Sequence, residues 1–150
     1  MADDDSVTVA YAKADPTGAG DGVFYRTFDA ASPNQSCAAN DTRLCLNGQR
    51  FEVEVVWRDY NTSTSGAGRA VPLTGDTGTF WFFSSANVEL VVKVLDGRPI
   101  NGHYWVFYGA LSDVEYTITI TDTATGQVRT YFNPAHTMAS AADTAAFAAP

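Results

Sequence analysis

At 150 residues, 45% hydrophobic and 13% aromatic, the chain has the size and composition of one folded domain and not of a disordered segment. A formal charge of −8, with nine scattered Lys and Arg, excludes nucleic acid and an anionic membrane surface as partners. Its apolar runs fall well short of the ~20 residues that cross a bilayer, so membrane insertion is excluded as well.

No basic stretch followed by an apolar one opens the chain. Met1-Ala-Asp-Asp-Asp5 reads as a start set on a processed segment, so the missing signal peptide does not argue for the cytoplasm. Val7-Thr-Val-Ala-Tyr11 alternates and suits a first strand. Asp15 to Gly22 is a turn-rich loop, and Val23 to Phe28 suits a short second strand. Cys37 and Cys45 follow, eight residues apart in a polar loop. The residues favour one local disulfide, and so an oxidising compartment, over free thiols or a metal site; no His lies within the loop to complete a metal site.

From Phe51 the strand pattern sharpens. Phe51, Val53, Val55 and Trp57 point one way; Glu52, Glu54 and Arg58 point the other. That period of two gives one buried and one wet face. Asn61 to Gly68 reads as a Ser/Thr/Gly loop. Ala70-Val-Pro-Leu-Thr74 is a short extended piece whose Pro72 suits an edge. Asp76-Thr-Gly78 turns into a strand, Thr79-Phe-Trp-Phe-Phe83, with aromatics on both faces. Val88 to Leu95 forms the next strand. His103 to Leu111 is apolar on both faces, as a central strand would be.

Ser112-Asp113 predicts a tight hairpin onto a strand from Val114 to Thr121. Asp122-Thr-Ala-Thr-Gly126 predicts a second hairpin, onto Val128 to Phe132, and Asn133-Pro134 ends the sheet signal. The Ala-rich tail, 137–150, fits either a short helix or an extended segment with Phe147 docked on the sheets. The long amphipathic helices of βαβ units are missing. The expected fold is therefore all-β: a single antiparallel β-sandwich over 1–150, of immunoglobulin-like or related topology, with 1–22 as an N-terminal strand and loop.

A set of separated blocks stands in order along the chain. They are Leu44-Cys-Leu-Asn-Gly48, Arg50-Phe51, Trp57-Arg58, Val71-Pro-Leu-Thr74, Asp76-Thr-Gly78, Phe80-Trp-Phe-Phe83, Asn87 to Gly97, Gly102-His103, Trp105 to Leu111, Val114-Glu-Tyr116, Thr121-Asp-Thr123 and Tyr131-Phe-Asn-Pro134. Together they resemble an accessory β-rich domain of exported bacterial proteins, one found beside proteases, repeat modules and other extracellular units. The resemblance covers roughly residues 37 to 147. It implies export, a β-rich fold and a Cys37–Cys45 bridge, and it transfers no catalytic residue.

Candidate chemistry is sparse. His103 and His136 are the only histidines and carry no HExxH-type spacing. His103 shares a face with Trp105 and Phe107, which suits a partly buried, hydrogen-bonded ring. No Gly-x-Ser-x-Gly elbow is present. Glu52 and Glu54 lie on one strand face, the place of a solvated pair and not of two carboxylates flanking a sugar.

Calcium suits the loop aspartates better than zinc. Asp3-Asp-Asp5, Asp15, Asp21, Asp76, Asp96 and Asp122 are the candidates, although loop aspartates commonly cap their own turns. Trp57, Trp81, Tyr104, Trp105, Tyr108 and Tyr131 are many aromatics for one sandwich. Trp81, Tyr104 and Trp105 are the candidate ligand platform. Asn34, Asn40 and Asn61 head glycosylation-type sequons, which mark surface loops.

The sequence thus leads to a secreted module, extracellular or periplasmic. It is expected to be non-catalytic and cofactor-free apart from calcium, and to mediate protein or cell-surface contacts. A carbohydrate-binding module using the exposed aromatics on a polysaccharide is the alternative, and an unrecognised hydrolase is a third class.

Overall fold

The computed structural model describes residues 7–12 and 23–28 as strands and residues 36–150 throughout. Asp3, Asp4, Asp5, Asp15, Asp21, the loop from Asp15 to Gly22 and the Asn34 sequon lie outside the described residues. β1 (Val7–Ala12) and β2 (Val23–Phe28) pair antiparallel as a two-stranded sheet, where the sequence reading sets its first two strands.

The remaining strands form two antiparallel sheets packed face to face. The first contains β3 (Arg43–Leu46), β4 (Phe51–Asp59), β5 (Thr64–Ala67), β10 (Glu115–Asp122) and β11 (Val128–Asn133). Its order is β11-β10-β4-β3, with β5 also pairing β4. The second contains β6 (Arg69–Pro72), β7 (Thr77–Trp81), β8 (Leu90–Asp96), β9 (His103–Ala110) and β12 (Ser140–Ala148), in the order β12-β9-β8-β7-β6. One helical turn, α1 (Arg98–Asn101), joins β8 to β9 and stops at Gly102, whose φ of 75° is left-handed.

Alternation sets the core. Phe51, Val53 and Val55 of β4 and Tyr116, Ile118 and Ile120 of β10 point inward. They meet Phe80, Leu90, Val92, Val94 and Val106 from the other sheet. Each such side chain contributes roughly 1.5–3 kcal/mol through burial. Gly78 lets the sheets approach, because a Cβ there would collide with Leu44 Cδ1 and Cδ2.

One side of the sandwich is closed by Gly68 N–H to Val55 O (2.8 Å) and Ala70 N–H to Asp41 O (2.8 Å). The other is closed by the Tyr131 hydroxyl donating to Asp143 Oδ2 (2.8 Å). Cys37 and Cys45 form the disulfide, which pins residues 37–45 along β3.

The structure differs from the sequence reading at several places. Ser112-Asp113 does not close a hairpin: β9 pairs β8 and β12, whereas β10 pairs β4 and β11, so the segment crosses between sheets. The Asn61–Gly68 loop contains β5, whose small residues lie over Trp57 and bury little of their own. The cysteine loop continues into β3, where Leu44 and Leu46 are core residues. β8 begins at Leu90 and leaves Val88 exposed. Of the two forms the sequence allows for the Ala-rich tail, the structure takes the extended one, β12, with Phe147 fully buried against Phe51 at 5.1 Å.

Candidate functional site

The outward faces of the two sheets differ in chemistry. Glu52, Glu54, Thr117, Thr119 and Thr121 occupy neighbouring outward positions on the first sheet, and Arg43 bonds Glu54 at 3.1 Å and meets Glu52 at 3.3 Å. This is the wet face that alternation predicts, although Val56, Val128 and Phe132 also stand exposed on it.

The second sheet breaks the rule. Its outward positions carry Val91, Lys93 and Leu95 on β8, Trp105, Phe107 and Gly109 on β9, and Ser140 and Ala142 on β12. Among the described residues no carboxylate stands at an outward strand position of this sheet; Lys93 and Arg69 are its cations. In a chain of net charge −8, that distribution is uneven.

A shallow groove of about 540 Å³ lies on this face, bordered by Thr77, Val91, Lys93, Phe107, Gly109 and Ala142. Its cause is local sequence. Gly109 has no side chain, its β12 neighbours are Ser140 and Ala142, and a Cβ added at Gly109 would meet nothing within 4 Å. Phe107 forms one wall, edge-on to Trp105 with ring centroids 6.4 Å apart.

Trp105 is fixed by its own loop. Its indole N–H donates to Asn101 Oδ1 at 2.8 Å, and the ring packs over Gly97, where a Cβ would overlap it. Asn101 also accepts from His103 N–H and donates to Thr144 O at 2.8 Å. The α1 turn thus clamps β9 to β12 and immobilises the indole.

The three aromatics singled out from the sequence do not form one platform. Tyr104 is only 3% exposed, edge-on to Phe51 at 4.8 Å, and its hydroxyl accepts from Arg50 at 3.0 Å. It faces inward because it alternates with Trp105, so it offers no ring to a ligand. Trp81 and Trp105 do share the outward face. Trp105 pairs with Leu95 and Trp81 lies one residue beyond the Phe80–Leu90 pair, so the two rings are ~20 Å apart along the strands.

The sequence reading passed over Gly109 and did not count Phe107 among the candidates. The available signal was the run Trp105-Val-Phe-Tyr-Gly109, in which every outward position is apolar or empty.

The aspartates read as calcium candidates are engaged by their own turns. Asp122 is fully buried, with Arg50 Nε and Nη2 both at 2.8 Å, and it also accepts from Ala124 N–H and the Thr125 hydroxyl. Burial pulls this carboxyl upward. The Arg50, Ala124 and Thr125 bonds together outweigh burial and hold it below the usual aspartate range. Asp96 pairs with Arg98 at 2.7 Å, and that hydrogen bond brings its carboxyl down to about 2. Asp76 accepts from the Thr77 and Thr74 hydroxyls, which lower it.

Among the described residues no group of three His, Cys, Asp or Glu is arranged to hold a metal. His103 is half-buried with Nδ1 2.8 Å from Asn101 O, and His136 is an exposed loop residue 3.7 Å from Asp113.

A cluster of tyrosines fills the interior between β9, β10 and β11. Tyr108 and Tyr131 lie 5.4 Å apart, and burial raises both phenols. Burial, with Tyr108 nearby, pushes Tyr116 up to about 12.

Comparison with known proteins returns no matching family model, no matching curated protein and no matching solved structure.

Proposed function

We propose that this chain is a non-catalytic contact module of an exported protein, and that it meets a protein or cell-surface partner on the outward face of the second sheet. The observation that carries the proposal is a row of half-buried apolar side chains, Val91, Leu95, Trp105 and Phe107, of which Val91 and Phe107 border a groove, on an acidic chain. Exposed apolar area rimmed by polar residues marks contact surfaces, and aromatics held rigid lose little entropy on binding.

The ordered blocks that resemble an accessory domain of exported bacterial proteins support the setting. The Cys37–Cys45 bridge is compatible with an extracellular or periplasmic place. Among the described residues no helix is long and apolar enough to cross a membrane. On this reading the topology belongs with immunoglobulin-related sandwiches, as two antiparallel sheets joined by crossovers suggest.

Carbohydrate binding is the second reading, favoured by one observation: the Trp105 indole is locked by Asn101 beside Phe107, a preorganised stacking surface. The readings part on arrays of glycans and of envelope proteins probed with wild-type chain and with Trp105→Ala and Phe107→Lys. A protein hit lost in Phe107→Lys supports the contact module. A glycan hit lost in Trp105→Ala supports the sugar reading. A hit untouched by both removes this face from the function.

A further inference from the structure

The first sheet ends on β11, and this edge is unlike the other edges of the two packed sheets. β3, β5 and β6 are four residues each; β3 carries Arg43 and β6 carries Pro72. β12 is broken by a register shift between Asp143 and Phe147. Short strands, prolines, charges and bulges are the devices that stop edges from pairing with other chains. β11 runs six residues, Val128-Arg-Thr-Tyr-Phe-Asn133, in unbroken register with β10. Its side chains on the sheet's outward face are Val128, Thr130 and Phe132, with Val128 47% and Phe132 60% exposed. Its one charge, Arg129, points to the opposite face, 5.8 Å from the Phe147 ring.

The ladder fixes which backbone groups point outward. Asp122 N–H bonds Gln127 O at 2.8 Å, so by alternation β10 exchanges hydrogen bonds with Arg129, Tyr131 and Asn133. Val128, Thr130 and Phe132 turn their N–H and C=O groups away from β10, and among the described residues no other strand pairs them.

We propose that β11 pairs antiparallel with β11 of a second copy of this chain, about a two-fold axis at Thr130. This register places Thr130 opposite Thr130 and Val128 opposite Phe132 on both sides. It uses every outward-pointing backbone group of the three residues. The apolar pairs are β-branched on aromatic, a favourable cross-strand combination. On the other face Arg129 stands opposite Tyr131 of the second copy, whose hydroxyl holds Asp143. A cation thus approaches a carboxylate across the seam, although both chains are acidic overall. The surface lies on the first sheet and is separate from the proposed contact face. One six-residue strand is a small interface, so association falls in the micromolar-to-millimolar range, roughly.

Sedimentation equilibrium of the oxidised full chain, from about 1 µM to about 1 mM, is expected to show a monomer–dimer equilibrium. Thr130→Pro removes an outward N–H and leaves the β10 ladder intact, so it is expected to weaken the dimer at least about tenfold with little change in melting. Thr130→Cys is expected to give a disulfide-linked dimer under mild oxidation, because directly opposed Cα atoms lie ~5.5 Å apart. Arg129→Cys, offset by two positions, is not expected to cross-link. If Thr130→Pro no longer melts cooperatively, the exposed Phe132→Lys replaces it with the same expected loss. A monomer across the whole range overturns the proposal. So does a dimer that the folded edge variant leaves intact, or equal cross-linking at 129 and 130.

Discussion

Asp122 shows how one side chain organises the end of the sandwich. It caps the β10–β11 turn and holds Arg50, whose guanidinium lies 4.5 Å from the Tyr104 ring. Asp122→Asn leaves Arg50 without its charge partner and is expected to cost about 3 kcal/mol at pH 7, read from urea midpoints. The folded carboxyl titrates below its ordinary 3.8. Its contribution is therefore complete well above that pH and is lost as pH falls through the folded value. The gap between wild type and Asp122→Asn should be constant at neutral pH and narrow only once the pH falls below the ordinary 3.8. A gap unchanged in acid would show that the charge is not what matters. Gly97 is the second such position. Gly97→Ala would drive a methyl into the Trp105 indole, and overpacking of this kind costs about 1–3 kcal/mol. A red-shifted tryptophan emission is the expected sign, and an unshifted spectrum with unchanged stability would contradict the clamp.

At the level of elements, β12 completes the second sheet and carries Phe147 into the core. Phe147→Ala is expected to cost about 3–5 kcal/mol by thermal or urea unfolding. A cost under about 1 kcal/mol would mean that the tail does not dock. Strands with strict alternation, β4 and β10 above all, were legible from sequence because one face had to be apolar. β12 was not, because alanine marks neither face, and only Phe147 hinted at docking. The Ser112-Asp113 crossover was misread because a two-residue polar link between strands has the same composition whether it closes a hairpin or changes sheets. β5 was hidden by its small residues and β3 by its four-residue length beside a polar loop, and the pairing of both depends on β4. The candidate site was legible in part. Trp105 was marked by its aromatic ring, whereas the groove depends on an absent side chain at Gly109, visible only once β12 lies beside it.

Among the described residues the first sheet turns out Glu52, Glu54 and a row of threonines, with Val56, Val128 and Phe132 exposed beside them, whereas the outward strand positions of the second sheet carry half-buried apolar side chains and no carboxylate. Burying one of these and wetting the other would be ordinary in a larger assembly; leaving both outward gives the chain a directional surface. The proposed function rests on that asymmetry, and Gly109→Arg tests it most directly. A Cβ at Gly109 meets nothing within 4 Å, so the new side chain starts into the open groove. It should leave the melting temperature unchanged or raised, since strand glycines are unfavourable. The decisive measurement is binding of wild type, Gly109→Arg and the opposite-face control Thr119→Arg on the same arrays of glycans and envelope proteins. A hit weakened at least about tenfold by Gly109→Arg and unaffected by Thr119→Arg is the predicted result. A hit that Gly109→Arg leaves intact, or one that Thr119→Arg abolishes, would contradict it.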